Sequence, residues 1–402
     1  MRTTPIRGRR LMVLALALSL VLSACFVTSE GVFVVGPGLR TYPLASPEGL
    51  FLAATYVAGS GLDPVEFGPV AGMIIIAIAT GQGFRVLDLM DDEELYSYDS
   101  AANAPMFGVV AMSDEPQGSG YAGVVGFGSG GVTVAEYFGS GTSFHTPVDY
   151  GSSVTYDMYP AGGSLYADLV TKVQPSIGVR FLVNEPPLPP RKGFDAPAAV
   201  GPELESDWTI SPELLPAANF TGELVSAFVA DDDLDTPAPA LVLTRGVTSN
   251  LYLDDRDGDA PVLAEVLGLD ARKLRCVDTQ SSAGWLCAVS LFGADQLAIL
   301  NWDGQSEPTF RGNVNVGDGP VGIDLKLLDS GDVAIVSTGF NDDSVTEVKV
   351  SNAGTLLATQ ARPAPSGCDS PGHAIYFEDE GGMALVGTCW NSGNYFVLRT
   401  AL

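Results

Sequence analysis

Two groups of aspartates in this 402-residue sequence have the spacing of calcium ligands. In calcium-binding loops, alternate positions direct carboxylate oxygens at one ion. The alternating aspartates are Asp231, Asp233 and Asp235 in the first group and Asp255, Asp257 and Asp259 in the second. Gly258 stands fourth in the second group, whereas the glycine that makes the sharp turn of a calcium loop stands sixth. Each group therefore has two interpretations, a calcium site or a solvated acidic turn without a cofactor.

The first group also resembles a known loop. Residues 231–239 resemble the D-x-D-x-D-G-x-x-D loop that precedes an apolar strand in the FG-GAP blades of integrin-like propellers. Thr236 and Pro239 stand where that loop has its glycine and its last acidic ligand. The resemblance implies calcium as the cofactor, and the two departures remove one sharp turn and one ligand.

The sequence contains no catalytic motif. There is no G-x-S-x-G elbow, no H-E-x-x-H, no phosphate-binding loop and no C-x-x-C-H. The two histidines are His145 and His373; His373 is expected to open a strand as a hydrogen-bonding turn residue. We therefore predict no catalytic residues, and a protein that binds rather than catalyses.

The first 24 residues have the features of an export signal. Residues 7–10 carry three arginines, residues 11–22 are almost wholly apolar, and small residues follow. The apolar run is shorter than the roughly 20 residues that a membrane-spanning helix needs. We predict that residues 1–24 are a signal peptide.

The end of this segment resembles the lipobox of bacterial lipoproteins, L-[ASV]-[GA]-C, in Leu22-Ser23-Ala24-Cys25. The resemblance implies that Cys25 is the mature N-terminus and carries fatty acyl chains such as palmitate, which anchor the protein to a membrane. In enterobacterial lipoproteins, a residue such as Phe26 after the cysteine implies the outer membrane, with the protein on its periplasmic or surface face.

The four other cysteines form two close pairs. Cys276 and Cys287 are placed symmetrically about a turn on successive predicted strands, so they lie opposite each other. Cys368 precedes and Cys389 follows the two strands of one predicted hairpin, which brings both to the same end. Because exported compartments permit disulfides, we predict the bridges Cys276–Cys287 and Cys368–Cys389.

The charge of the chain restricts its partners. It has 48 acidic residues against 20 lysines and arginines, a net charge of −28. Such a surface repels phosphate backbones, so nucleic-acid binding is disfavoured. Cations, metal ions and basic surfaces are the partners that this charge favours.

A pair of short apolar strands joined by a polar turn recurs seven times. The pairs begin at Met73, Tyr121, Leu165, Ala240, Trp285, Asp332 and Met383. The starts are 48, 44, 75, 45, 47 and 51 residues apart. Each pair follows another strand-like segment, and several precede a fourth. Four strands at a period near 45 residues are typical of one β-propeller blade.

We therefore predict an all-β fold, a seven-bladed β-propeller of four-stranded blades spanning residues 25–402. The first strand of each pair is often apolar throughout, as expected for a strand buried on both faces between neighbouring blades. The last blade ends one strand short at Leu402, so an N-terminal strand must close the ring. The apolar segment from Gly31 to Val35 is the predicted donor.

Two blades of the C-terminal half resemble the YVTN/NHL-like group of propellers. The resemblance rests on GDGPVGIDL, GDVAIVST and VTEVKVSNAGTL, at residues 317–325, 331–338 and 345–356. It implies the fold and carries no functional residues.

The 75-residue interval contains a proline-rich segment at about residues 186–220, predicted as an excursion from the propeller. A rival architecture places a domain boundary there, between an N-terminal all-β domain and a four-bladed C-terminal piece.

The sequence predicts a lipid-anchored protein of a bacterial cell envelope that carries a non-catalytic binding or scaffold propeller. Its expected partners are the membrane, other envelope proteins or a small ligand. The alternative is an envelope enzyme with a calcium-assisted site in the propeller channel, as in lactonase-type propellers. A third interpretation is a purely structural surface protein.

Overall fold

The structure is a computed structural model. It describes residues 220–230, 239–246, 248–255, 260–379, 382–392, 394–400 and 402, and before residue 220 it describes the strands. In this part of the chain the single helix is a three-residue 3-10 turn, Phe292–Ala294, so none there has the length or apolar character of a membrane-spanning helix.

The described residues form 28 β-strands, which confirms the all-β class. The first fourteen are β1 (Arg40–Thr41), β2 (Leu52–Val57), β3 (Met73–Thr80), β4 (Gly83–Asp88), β5 (Glu93–Asp99), β6 (Met106–Ser113), β7 (Tyr121–Gly128), β8 (Gly131–Phe138), β9 (Val148–Tyr150), β10 (Thr155–Ala161), β11 (Tyr166–Thr171), β12 (Ile177–Leu182), β13 (Glu213–Leu214) and β14 (Glu223–Val229). The others are β15 (Ala240–Arg245), β16 (Ser249–Asp254), β17 (Val262–Gly268), β18 (Ala271–Asp278), β19 (Trp285–Leu291), β20 (Gln296–Trp302), β21 (Thr309–Asn315), β22 (Pro320–Leu327), β23 (Val333–Gly339), β24 (Ser344–Val350), β25 (Leu356–Pro363), β26 (Pro371–Asp379), β27 (Gly382–Cys389) and β28 (Asn394–Arg399).

The described strands pair into seven antiparallel sheets of four strands. The first six sheets are each built from four consecutive strands, β2–β5, β6–β9, β10–β13, β14–β17, β18–β21 and β22–β25. The seventh has the order β26, β27, β28, β1. Short turns between consecutive strands favour this meander, because an antiparallel pair needs only a tight hairpin.

The fourth strand of the seventh sheet comes from the N-terminal part of the chain. In β1, Arg40 lies opposite Tyr395 and Thr41 opposite Asn394. The predicted donor, Gly31 to Val35, lies outside the described residues, and the strand that pairs lies further along the chain. A two-residue strand has no sequence period of its own, which is why the prediction placed it elsewhere.

The third sheet is completed from inside the proline-rich segment. Glu213 and Leu214 of β13 pair with Arg180 and Val179 of β12. The range predicted as an excursion, 186–220, therefore contains the outer strand of this sheet.

The second strand of a sheet is buried on both faces, as predicted. All seven residues of β23 are buried. Ile335 packs in an apolar cluster with the fifth sheet, whereas Ala334 and Val336 pack in a cluster with the seventh. Each fully buried aliphatic side chain of this kind contributes about 1.5–3 kcal/mol relative to an exposed one. The core therefore lies between adjacent sheets.

The outer strands of the sheets are irregular. Pairing of the third with the fourth strand shifts register between Leu251 and Tyr252 in the fourth sheet, and between Ile299 and Leu300 in the fifth. In the fifth sheet the outer strand contains Gly312, with a φ of 136°. Such bulges bend an exposed strand and make it a poor template for edge-to-edge association.

Both predicted disulfides are formed, Cys276–Cys287 and Cys368–Cys389. Cys276 lies directly opposite Cys287 in the pairing of β18 with β19, with their Cα atoms 4.0 Å apart. Cys368 precedes β26 and Cys389 is the last residue of β27, with a Cα separation of 5.1 Å. The second bridge therefore ties the entry of the seventh sheet to the end of its second strand.

Candidate functional site

One end of the last three sheets carries a repeated loop structure, which we call the loop face. In an antiparallel sheet, the turn between the second and third strands lies at the same end as the segment that enters the first strand. The turns of the loop face are residues 292–295, 340–343 and 390–392, and the entry segments are residues 269–270, 316–319 and 364–370.

An aromatic residue directly follows the second strand in each of these sheets. Its backbone N–H donates to a carbonyl of the entry segment of the same sheet. The three bonds join Phe292 to Asp270 at 3.0 Å, Phe340 to Gly319 at 3.1 Å and Trp390 to Ser370 at 2.9 Å. These bonds fix where each aromatic side chain leaves the backbone.

In the fifth and sixth sheets, an aspartate at the end of the turn joins the sheet to the next one. Asp295 and Asp343 have left-handed backbones, with φ of 56° and 51°, which aspartate tolerates better than most residues. Oδ1 of Asp295 accepts the N–H of Gly319, at 3.0 Å. Oδ1 of Asp343 accepts the N–H of Ser370, at 2.7 Å. We call these bonds the inter-sheet latches, because each crosses from one sheet to the entry of the following sheet.

Asparagine side chains brace the loops of the sixth and seventh sheets. Nδ2 of Asn341 donates to Oδ1 of Asp318, at 2.8 Å. Nδ2 of Asn391 donates to Oγ of Ser370, at 2.9 Å. The carboxylates and amides at this junction are therefore held in position before any partner arrives.

The sixth and seventh sheets present an aromatic pair at the loop face. The rings of Phe340 and Trp390 meet edge to face, with centroids 5.7 Å apart. Exposed Asp318, Asp342 and Asp369 belong to the same loops. These loop segments, residues 316–319, 340–343, 364–370 and 390–392, contain no lysine or arginine. The junction is therefore both acidic and aromatic.

The fifth sheet shows that a carboxylate next to an aromatic ring on the loop face can bind a cation. Nη2 of Arg272 lies 2.7 Å from Oδ2 of Asp270, and its guanidinium lies 4.6 Å from the centre of the Phe292 ring. A cation bound by a carboxylate and an aromatic face gains both charge pairing and a cation–π interaction. At the fifth sheet, the chain itself supplies this cation.

A second group of contacts joins the first strands of neighbouring sheets. Oγ of Ser226 on β14 both accepts from the N–H of Leu274, at 3.1 Å, and donates to its carbonyl, at 3.3 Å. Oδ2 of Asp324 on β22 accepts the N–H of Tyr376 on β26, at 2.8 Å. A first strand has a pairing strand on one edge only, so these side chains satisfy backbone groups on its other edge.

Asp324 on β22 is a carboxyl group with a raised pKa. Burial raises its pKa to about 6, although hydrogen bonds from the backbone of Tyr376 and Leu325 and the charges of Arg275 and Lys326 act in the opposite direction. A carboxyl group that titrates near neutrality has the protonation behaviour of an acid–base catalyst.

His373 is a buried strand residue. The sequence predicted that it opens a strand as a turn residue; this was wrong, since it is the third residue of β26 and is 5% exposed. Its Nε2 lies 3.3 Å from the carbonyl oxygen of Ile323 on the neighbouring sheet. A bulge between Pro371 and His373 turns the side chain towards that neighbour.

Most of the predicted calcium ligands lie outside the described residues. Asp255 is described and exposed. The other five candidates and Cys25 lie outside the described residues. Asp255 directly follows β16 of the fourth sheet, at the end where Asp254 lies opposite Ala240. Within the described residues, no group of three or more His, Cys, Asp or Glu side chains could hold a metal ion.

The loop face was missed by sequence reasoning, although a signal for it exists. The three turns read FGAD, FNDD and WNSG from residues 292, 340 and 390. When they are aligned on the end of the second strand, an aromatic residue stands first and an aspartate or glycine stands last. An aromatic residue is what the edge-to-face contact of Phe340 with Trp390 requires, and aspartate tolerates the left-handed backbone of Asp295 and Asp343.

No protein-family model matches the sequence, and no curated protein matches it. Solved β-propeller structures do match. The chain is similar to the β-propeller domain of Cps50 (Swd1) from Myceliophteria thermophila, with a TM-score of 0.52 and 10% identity over 92% of this chain and 100% of that one. It is also similar to a chain from the crystal structure of the Mitotic Checkpoint Complex, with a TM-score of 0.56 and 12% identity over 91% of this chain and 95% of that one. These likenesses show the fold alone, an all-β, propeller-like set of antiparallel four-stranded sheets.

Proposed function

We propose that the chain is a lipid-anchored protein of a bacterial cell envelope and that its propeller binds another envelope protein without catalysis. The lipobox-like residues 22–25 support the anchor, with Cys25 as the acylated residue and the outer membrane as its location. One structural neighbour comes from a multi-protein complex, which is consistent with a protein-binding role.

The seven sheets are the blades of a closed ring in this proposal. Contacts between the first strands of successive sheets support closure, since β2 touches β6 and the series continues through β10, β14, β18 and β22 to β26. The contact of β26 with β2 and the pairing of β1 with β28 support the last step. Closure would leave no sheet of the ring with a missing neighbour.

The partner binds at the loop face between the sixth and seventh sheets. The observation that carries this proposal is the edge-to-face pair of Phe340 and Trp390 among exposed carboxylates. Aromatic residues at the centre of a patch with charged residues at its rim are typical of protein interfaces. The partner's contact segment is therefore basic, with lysine or arginine side chains placed as Arg272 is placed against Phe292.

Crosslinking in intact cells of the native host tests this proposal. A variant with Phe340→Ser and Trp390→Ser is compared with the wild type and with Phe310→Ser. Phe310 is the matched control, because it is an aromatic residue on an outer strand, 42% exposed, and away from the loop face. We expect one crosslinked protein to be recovered with the wild type and with Phe310→Ser and lost with the double variant. Equal recovery with all three proteins would show that the loop face is not the binding surface.

A second candidate function is an envelope enzyme with a calcium-assisted, lactonase-like site in the central channel. The two groups of alternating aspartates, at residues 231–235 and 255–259, are the sequence feature that supports a calcium site. Calcium titration by calorimetry separates the candidates. Heat of binding that is abolished by Asp231→Asn or Asp257→Asn would support a metal site, and no heat at millimolar calcium would remove it.

A further inference from the structure

Three polar side chains are enclosed in the apolar layer between the sixth and seventh sheets. Glu347 on β24 and Arg362 on β25 have side chains that are 0% and 8% exposed. Tyr376 on β26 is 8% exposed and belongs to the apolar cluster that contains Leu385 and Phe396. Polar atoms at this depth need hydrogen-bond partners, because they have lost their contacts with bulk water.

The guanidinium of Arg362 has a hydrogen-bond partner for one of its three nitrogens and an ion-pair partner for a second. Nη2 lies 2.8 Å from Oε2 of Glu347. Nη1 donates to the backbone carbonyl of Arg399, at 2.9 Å, and so joins the sixth sheet to the seventh. Among the described residues, Nη2 makes no hydrogen bond beyond that ion pair, and Nε has no hydrogen-bond partner at all. Because an arginine Nε–H can only donate, this atom requires an acceptor.

Tyr376 presents a complementary group. Its Oη also has no hydrogen-bond partner among the described residues. Burial, followed by the charges of Glu347 and Asp324, raises the pKa of Tyr376 well above its usual value. The hydroxyl therefore keeps its proton and can both donate and accept. The positive charge of Arg362 opposes that rise, so the two side chains lie within electrostatic reach of each other.

We propose that one buried water molecule is bound between the sixth and seventh sheets, where it accepts from Nε–H of Arg362 and hydrogen-bonds Oη of Tyr376. A neutral ligand fits this site because Glu347 and Arg362 already balance each other's charge. An ion would add an uncompensated charge to a layer of low dielectric constant. A buried water typically makes about three hydrogen bonds to otherwise unsatisfied polar groups. Oη of Tyr376 and the Glu347 carboxylate can each accept one of its hydrogens.

The water would act as a polar bridge across the interface of two sheets, and the inference does not depend on the proposed function. A crystal structure at a resolution that shows ordered waters tests it directly. We expect one water peak within about 2.7–3.2 Å of both Arg362 Nε and Tyr376 Oη. An empty space, a peak that reaches only one of the two atoms, or density for an ion would overturn the assignment.

A comparison of two tyrosine variants gives a second test in solution. Oη of Tyr252 is a matched control, because it is a buried hydroxyl with two protein donors, the N–H of Thr221 at 3.3 Å and Nδ2 of Asn250 at 3.4 Å. If Tyr376 Oη binds a water, Tyr376→Phe removes a satisfied hydrogen bond and lowers the melting temperature, as Tyr252→Phe does. If Oη has no partner at all, its removal relieves an unsatisfied buried group. A melting temperature of Tyr376→Phe equal to or above that of the wild type would therefore overturn the proposal.

Discussion

Asp324 has two opposed effects on the folded chain. Its Oδ2 accepts the N–H of Tyr376, a backbone group on the unpaired edge of a first strand. The same position is sufficiently buried that ionisation of the carboxyl is unfavourable, and its pKa rises to about 6. The interaction therefore stabilises the contact between the two sheets most when the carboxyl is protonated. The neutral acid can still accept this hydrogen bond, and burying it costs less free energy than burying the carboxylate.

The pH dependence of stability should reveal this carboxyl. Because its folded pKa lies above the ordinary value of 3.8, the folded state holds a proton that the unfolded state loses between about pH 4 and pH 6. Stability from this group is present below pH 4 and is lost as the pH rises to about 6. Asp324→Asn keeps an acceptor and cannot ionise. Relative to this variant, the wild type should lose about 2–3 kcal/mol of unfolding free energy between pH 4 and pH 7, measured by urea denaturation.

Asp332 provides a control, because its pKa is shifted in the direction opposite to that of Asp324. A hydrogen bond from Lys349, then one from Ser330, lowers the pKa of Asp332. Its stabilising contribution is present above the ordinary pKa and is lost as the pH falls through the lowered value. Asp332→Asn should therefore approach the stability of the wild type at acidic pH. A wild-type advantage over Asp324→Asn that does not change between pH 4 and pH 7 would mean that Asp324 is solvated.

At the scale of elements, the turn between the second and third strands connects the two strands of a hairpin and also positions the next sheet. Asp343 achieves this with two groups: its carboxylate accepts the N–H of Ser370, and its carbonyl accepts the N–H of Ala364, at 2.7 Å in each case. The fourth strand of one sheet and the entry of the next are thereby tied to one residue. These inter-sheet latches hold the loops of the loop face in fixed positions.

Asp343→Ala should destabilise the fold more than the neighbouring change Asp342→Ala. The first removes a charged acceptor from an inter-sheet bond and places alanine in the left-handed region, with an expected cost of about 1–3 kcal/mol. Asp342 accepts Oγ of Ser344 within its own turn, at 2.7 Å, so its loss leaves the next sheet untouched. Denaturant unfolding measures both variants, and equal losses would contradict the latch.

For the whole molecule, the sequence contains much of the fold but little of the site. Strand pairs such as β23 and β24 were predictable, because their apolar residues and polar turn recur at a nearly constant interval. Both disulfides were predictable from the symmetry of their positions about a turn. The loop face depends instead on contacts such as Asp343 with Ser370, whose partners lie on different sheets and leave no local period. The edge strand β1 is too short to show a pattern.

The proposed lipid anchor concerns the whole molecule, and one substitution tests it. Cys25→Ser should move the protein from the membrane fraction to the soluble fraction after cell breakage, because no residue at position 25 could then be acylated. Wild-type protein labelled with a clickable palmitate analogue provides the matched readout. Retention of the variant in the membrane fraction would contradict the lipoprotein proposal.

The central proposal is that the seven sheets form one ring, completed by a strand from the N-terminal part of the chain. Thr41 and Asn394 lie directly opposite each other in the pairing of β1 with β28. The paired changes Thr41→Cys and Asn394→Cys should therefore form an intramolecular disulfide, detected by non-reducing peptide mapping. Thr41→Cys with Ser306→Cys is the control and should not form one, since Ser306 lies in a loop of the fifth sheet. A bridge in the first protein alone is the predicted result, and free cysteines at positions 41 and 394 under oxidising conditions would contradict the closed ring.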